Sequence, residues 1–305
     1  MILLSPKLTC PFKFPSKLEN NHHPINSLRN FRSKISEFIT QILSEPDPTL
    51  HKCFELINIT NRAFAKMVVE IGYPTTRWSE SEKLTDQYLT YTLNLLGLLN
   101  SVSSSLSHLS HAKISVLHAL TLIKNNSPSS AAKHLKKIPR KNLNADFNFD
   151  GPVKIEGKPG SETERVVLRA LAVSKKVEFL AIGFVLSSLC GDAKPYMEIR
   201  KRVGGFGDDD DAMIKEMDSR FCKEVSEIEQ GKMEEVKEVN SAIDRLYAAI
   251  SNGRCCGDAD DLMKRLEVLQ NLIQGLEKQA NNLFSEVLGT RNKLLDNLRF
   301  TGHNT

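Results

Sequence analysis

The chain carries apolar residues at alternating intervals of three and four positions, the spacing that keeps one face of a helix against a partner helix. The longest such series comprises Leu262, Leu266, Leu269, Ile273, Leu276, Ala280, Leu283 and Val287. Two shorter series comprise Val236, Val239, Ile243, Leu246 and Ile250, and Leu84, Tyr88, Tyr91, Leu95, Leu98 and Val102. This pattern predicts an all-α fold, an elongated bundle of long antiparallel helices with coiled-coil-like seams.

Prolines, glycines and capping residues divide this pattern into separate helices. In the first half, helices are predicted over residues 27–43, 49–71, 79–124 and 129–137. In the second half, a helix over 161–190 precedes a glycine-rich loop over 191–207 and two helices over 208–251 and 258–300. The last two helices are of similar length and are expected to pair as one long antiparallel hairpin. A stutter in the heptad pattern or a local splay is expected at 229–235, where the apolar seam is weakest.

These elements suggest four parts along the chain. Residues 1–26 are expected to form a disordered N-terminal tail, and 27–137 a helical region. Residues 138–160 are rich in glycine, proline and charge, as in a linker. Residues 161–300 are expected to supply a central apolar helix and the C-terminal hairpin, packed with the N-terminal helices as one bundle.

The segment Val177–Cys190 is apolar on nearly all sides, which raises the question of a membrane span. It contains Glu178, follows two lysines, and has 14 residues. A spanning helix requires about 20 apolar residues. The length therefore favours a buried central helix, with a single membrane span as the alternative.

Positive charge is concentrated in the first half, where residues 1–150 contain 18 Lys and Arg against 11 Asp and Glu. Its densest group lies within residues 133–141 and comprises Lys133, Lys136, Lys137, Arg140 and Lys141. Such a cluster is typical of contact with an anionic surface, including lipid headgroups. A solvated helix end is the alternative interpretation of the same residues.

No pattern in the chain indicates a catalytic or cofactor site. His108, His111 and His118 lie at helical spacing and are the best candidate metal ligands. No acidic residue falls between Asp86 and Asp146 to complete a local site. We therefore predict no metal, no cofactor and no enzymatic activity, with a metal-dependent helical-bundle enzyme as the alternative.

Three stretches together resemble the plant BYPASS family of helical proteins. They are Tyr73-Pro74 followed by Trp78, the run 167–171 leading to Cys190-Gly191, and the run 289–299. The resemblance covers about residues 27–300 in the same order. It implies a non-enzymatic plant regulator of growth and development, associated with root-to-shoot signalling, for which no catalytic residues are established.

The resemblance and the residue pattern together indicate a helical interaction scaffold that acts through protein partners. Peripheral membrane contact is expected, and no nucleic acid partner is. The expected location is cytoplasmic, peripheral on endomembrane. The alternatives are a plastid, since residues 1–36 contain Ser, Lys and Arg with one acid, and a single-span membrane protein. A purely structural coiled-coil protein is a further alternative for function.

Overall fold

A computed structural model describes residues 24–45, 50–72, 78–139, 161–204, 211–228, 234–252 and 256–301, excluding the side chains of 78–83, 256 and 294–301. Its helices are α1 (Pro24–Ser44), α2 (Leu50–Glu70), α3 (Trp78–Lys124), α4 (Pro128–His134), α5 (Glu162–Cys190), α6 (Lys194–Val203), α7 (Ala212–Ile228), α8 (Glu234–Ser251) and α9 (Cys256–Thr301). Within the described part of the chain, all regular secondary structure is helical. The predicted all-α bundle of long helices is confirmed.

Local signals explain why α5 begins and ends where predicted. The side chain of Ser161 accepts a hydrogen bond from the backbone N–H of Glu164, which satisfies a free donor of the first turn. Glu162 and Glu164 place negative charge at the positive end of the helix dipole. The helix ends at Gly191, whose φ of 66° is readily adopted by glycine.

The expected loop over 191–207 is wrong in part, because α6 (Lys194–Val203) occupies most of it. Proline lies in the first turn of α6, where its missing N–H costs nothing. Tyr196, Ile199 and Val203 then follow at helical spacing and are all buried. Because several glycines follow these residues, the pattern predicted a loop, and the short periodic run of apolar residues was not recognised as a helix.

The expected penultimate helix over 208–251 is described as two helices, α7 and α8. Of residues 229–235, where a splay was expected, 229–233 lie outside the described residues, and 234–235 form the start of α8. The helix α7 packs on α1, α5 and α6, whereas α8 packs on α4 and α9. Ion pairs join Arg245 to Asp261 and Glu238 to Arg265, so α8 and α9 run antiparallel. The hairpin is therefore formed by α8 and the first part of α9.

The core surrounds α5, which contacts α1, α2, α3, α6 and α7. Every side chain from Val177 to Cys190 is buried, so neighbouring helices account for its apolar character on all sides. No helix in the described residues has the length and hydropathy to cross a membrane.

The predicted seams face the protein interior. All members of the longest series, on α9, are buried, and so are the six members of the α3 series. The helix α3 packs on both α5 and α9. On α8, Val239, Ile243 and Leu246 are buried, while the first and last members of that series are partly exposed.

Polar contacts fix α7 along α1. The guanidinium of Arg220 donates to the backbone carbonyls of Leu43, at 2.6 Å, and Glu45. These carbonyls lie at the C-terminal end of α1, where helix acceptors have no partner within the helix. The hydroxyl of Ser36 donates to Asp211 Oδ2 at 3.0 Å, just before α7 begins.

Candidate functional site

The predicted basic cluster begins in the last turn of α4 and continues into an extended segment. Lys133 is exposed near the end of α4. Beyond the helix, Leu135 and Ile138 are buried, while Lys136 and Lys137 between them are exposed. The buried pair anchors the segment, and this anchoring directs the lysines to solvent.

Helix α8 holds this extended segment in place. The backbone N–H of Ile138 donates to Asn240 Oδ1 at 2.8 Å, and Asn240 Nδ2 donates to the carbonyl of Ile138 at 3.3 Å. One side-chain amide thus satisfies both backbone groups of a residue outside any helix. Lys137 Nζ lies 2.8 Å from Asp244 Oδ2 on the same helix.

The five predicted contact residues therefore have different outcomes. Lys133 and Lys136 are exposed, and Lys137 is exposed but paired with Asp244. Arg140 and Lys141 lie outside the described residues. We call Lys133, Lys136 and Lys137 the basic segment. An ammonium group is a compact, flexible charge, so this segment suits phosphate or carboxylate groups on a surface.

Two of the three candidate metal ligands on α3 lie beside this part of the chain. The rings of His118 and His134 meet edge to face, with centroids 5.1 Å apart. His108 Nε2 lies 3.4 Å from the backbone carbonyl oxygen of Pro139. His111 is exposed. Within the described residues, no group of three or more metal-ligating side chains occurs. The sequence did not reveal that the chain returns along α3 after α4.

A second candidate centre, missed by sequence reasoning, lies inside the bundle. Glu178 on α5 is fully buried and accepts a hydrogen bond at Oε2 from the hydroxyl of Tyr91 on α3. Its other oxygen, Oε1, is buried without a hydrogen-bond partner among the described residues. The ring of Tyr91 also stacks on Phe179, with centroids 5.9 Å apart.

Burial sets the electrostatics of this centre. Loss of hydration raises the pKa of Glu178 to about 8, although the hydrogen bond from Tyr91 opposes the shift. Burial also raises the pKa of Tyr91, and the nearby Glu178 carboxyl adds to this shift. The pKa of Tyr88 is raised by burial and by Glu178, while Arg291 on α9 lowers it. Four ionisable groups from three helices are therefore coupled in the interior.

A third polar cluster joins α6 to α7. Asp218 is 2% exposed and accepts hydrogen bonds from Tyr196 Oη and Arg200 Nε, both at 2.8 Å. Burial raises the pKa of Tyr196, and the Asp218 carboxylate adds to the shift. Both partners of the Asp218 carboxylate, Tyr196 and Arg200, come from α6, the helix that the sequence did not predict. Since the aspartate is paired, this cluster links helices rather than presenting a reactive group.

Comparisons with known proteins identify relatives of the chain. The family model described as Protein BPS1 matches residues 76–296. A curated relative, "Protein BPS1, chloroplastic" of Arabidopsis thaliana, is 23% identical over 303 residues, which cover 91% of this chain and 85% of the relative. No solved structure matches the chain. Because the family model covers well over half of the sequence, the chain belongs to the BPS1 family, the plant BYPASS family that its motifs resemble.

Proposed function

We propose that this member of a family of plant developmental regulators is a non-enzymatic helical scaffold that contacts an anionic membrane surface and binds protein partners. The main support for the proposed membrane contact is the basic segment, which α8 holds in an extended conformation. Membership of this family supports the developmental role. Within that role, we propose that the protein acts in root-to-shoot signalling. The polar interior supports the scaffold role, because Arg220 and Asp218 serve to join helices.

Charge along the chain supports contact with anions. Between Asp86 and Asp146 the sequence has no acidic residue, so α3 and α4 supply only positive or neutral groups beyond Asp86. Each well-placed lysine contributes about 1 kcal/mol of attraction to an anionic bilayer, and the attraction weakens with salt. Lys133 and Lys136 are the stronger contributors, since Lys137 faces Asp244.

Vesicle co-sedimentation tests the surface contact. The full chain should bind vesicles containing phosphatidylserine or phosphoinositide and should dissociate as salt rises. Lys133→Glu with Lys136→Glu should weaken binding at least tenfold. Lys264→Glu with Lys278→Glu, two exposed positions on α9, makes the same change in net charge elsewhere and should weaken binding much less. Equal losses in both double variants would contradict a local contact.

A plant lacking its own family protein tests the developmental role. The wild-type chain should restore root and shoot growth, and cross-linking in the same plants should identify recurrent partners. Metal analysis of purified protein addresses the enzymatic alternative. Stoichiometric iron, manganese or zinc would contradict the scaffold proposal and favour a metal-dependent enzyme.

We further propose that the chain acts at a plastid or endomembrane surface. The Arabidopsis relative is named as chloroplastic, which supports the plastid alternative. A C-terminal fluorescent fusion of the full chain should mark plastids or endomembranes. Transfer of residues 1–36 to a reporter would distinguish these locations, because only a transit peptide should carry the reporter into plastids.

A further inference from the structure

The carboxyl group of Glu178 lies where neither of its charge states is well solvated. It is 0% exposed on the central helix α5, and α3 supplies its one described hydrogen bond, from Tyr91. The second oxygen has no partner among the described residues. A neutral carboxyl tolerates such a site, whereas a carboxylate there has lost its hydration without gaining a cation from the described residues.

The ionisable groups around it come from several helices. Tyr91 and Tyr88 face it from α3, and Arg291 of α9 acts on Tyr88. On α5 itself, Lys175 precedes it by three residues, with Nζ 5.8 Å from the centroid of the Phe179 ring.

The other helices that pack on α5 place few ionisable side chains near Glu178. Among their buried residues, α1 has no ionisable group and α2 has the thiol of Cys53. The α6–α7 cluster lies further along α5. Tyr196, a member of that cluster, packs on Gly183, and the backbone N–H of Tyr196 donates a hydrogen bond to the hydroxyl of Ser187.

We propose that Glu178 is a proton-controlled packing switch, in which the protonated carboxyl allows α5 to pack tightly on α3 and the ionised carboxylate loosens that packing. The inference extends beyond the scaffold role, because it assigns a regulatory input to the bundle core. The input is the proton itself, and the element that responds is the α3–α5 contact.

The direction of the pH effect follows from linkage. The folded-state pKa of about 8 lies above the ordinary glutamate value of 4.5, so the folded chain holds the proton more tightly than the unfolded chain. The contribution of Glu178 to the unfolding equilibrium constant therefore rises about tenfold per pH unit between these two values. Stability from this group is greatest at low pH, falls as pH rises, and levels off above the folded-state pKa.

Hydrogen exchange measured by mass spectrometry on the full chain tests the proposal. Rates are corrected for the intrinsic pH dependence of exchange and compared between about pH 6 and about pH 9. In the wild type, protection of α5 and the facing part of α3 should fall as pH rises. In Glu178→Gln, which keeps the shape of the side chain, protection should stay constant. Glu267→Gln on the exposed face of α9 should behave like the wild type.

A second variant tests the hydrogen bond. Tyr91→Phe removes the donor that favours the carboxylate and so raises the folded-state pKa of Glu178. The pH at which the loss of protection levels off should therefore be higher in this variant. Infrared difference spectra should show a buried carboxylic acid band that disappears over the same pH range and is absent from Glu178→Gln. Protection that does not change with pH in the wild type, or that changes equally in Glu178→Gln, would overturn the proposal. An unchanged transition in Tyr91→Phe would do the same.

Discussion

At the scale of single residues, the interior is held together by polar groups whose partners lie on other helices. Tyr196 shows this well, since its hydroxyl donates to the buried carboxylate of Asp218 and its ring packs against Phe221. Removing the hydroxyl alone would leave the aspartate with Arg200 as its remaining described side-chain partner. The tyrosine hydroxyl is therefore expected to stabilise the α6–α7 contact.

We predict that Tyr196→Phe lowers the free energy of unfolding by about 1.5–3 kcal/mol, the usual contribution of a hydrogen bond to a charged group. Urea denaturation followed by circular dichroism measures it. Tyr247→Phe is the matched control, because Tyr247 is 53% exposed on α8 and should change stability by less than about 0.5 kcal/mol. Equal effects of the two substitutions would show that the buried hydroxyl contributes nothing specific.

Residue roles of this kind could not be predicted from the sequence. Glu178 was identified as a charge that argues against a membrane span, but its partner Tyr91 lies 87 positions away on another helix. In the sequence alone, Asp218 and Arg220 cannot be distinguished from the exposed charged residues around them. By contrast, buried apolar positions such as Leu269 were predictable, because helical periodicity is a local property of the sequence.

At the scale of helices, α9 depends on its apolar seam. Leu269 is fully buried, whereas its neighbour Val268 is 55% exposed. An aspartate at the first position would lose hydration and leave unfilled volume, and at the second it would stay in water. We predict that Leu269→Asp costs about 3–5 kcal/mol.

The control for this prediction is Val268→Asp, which introduces the same charge one residue away and should cost less than about 1 kcal/mol. Denaturant titration of both variants gives the comparison. If the two variants were equally stable, the orientation of α9 would differ from the one described.

The crossing of α5 and α6 leaves little room for a side chain at position 183. A Cβ atom at Gly183 would lie 3.3 Å from Ile199 Cδ1 and 3.4 Å from Tyr196 Cδ2. We predict that Gly183→Val lowers the free energy of unfolding by about 1–3 kcal/mol through overpacking. Gly97→Val on α3 is the control, since a Cβ there meets nothing within 4 Å. It should leave stability unchanged or slightly raised, and a loss equal to that at Gly183 would contradict the packing argument.

The helix boundaries show where sequence reasoning succeeds and where it stops. The ends of α5 were predictable because Ser161 and Gly191 are strong local signals. The helix α6 was missed because its buried face consists of a few residues between a proline and several glycines. The sequence also did not predict which helices pack together. Periodicity shows that α7 and α8 have apolar faces, but it does not show which helices cover them.

At the scale of the whole molecule, α7 and α8 follow one another in the sequence but pack on different helices. One packs beside α1 and α6, and the other beside α4 and α9. The central helix α5 contacts α1, α6 and α7 directly, and it is joined to α9 by α2 and α3, each of which packs on both α5 and α9. A change in the α3–α5 contact would thus act at one of the two connections between α5 and α9.

The same arrangement bears on membrane association. The apolar character of Val177–Cys190 is accounted for by the helices around α5, so a bilayer is not needed to cover it. At about 1.5 Å per residue, this segment is about 21 Å long, shorter than a hydrocarbon core of about 30 Å. Inserting it would also separate it from its core partners and place Glu178 in lipid, which is costly. Membrane contact through surface charge, by contrast, leaves the bundle intact.

We therefore predict that the protein behaves as a peripheral membrane protein when it is recovered with plant membranes. A wash in high salt should release part of it, because salt screens the charges of the basic segment. An alkaline carbonate wash should release the remainder, while a known spanning protein in the same sample stays in the pellet. Protein that resists both washes and dissolves only in detergent would mean that 177–190 inserts in the bilayer. In that case the burial of α5 against its five neighbouring helices would not describe the membrane-bound state.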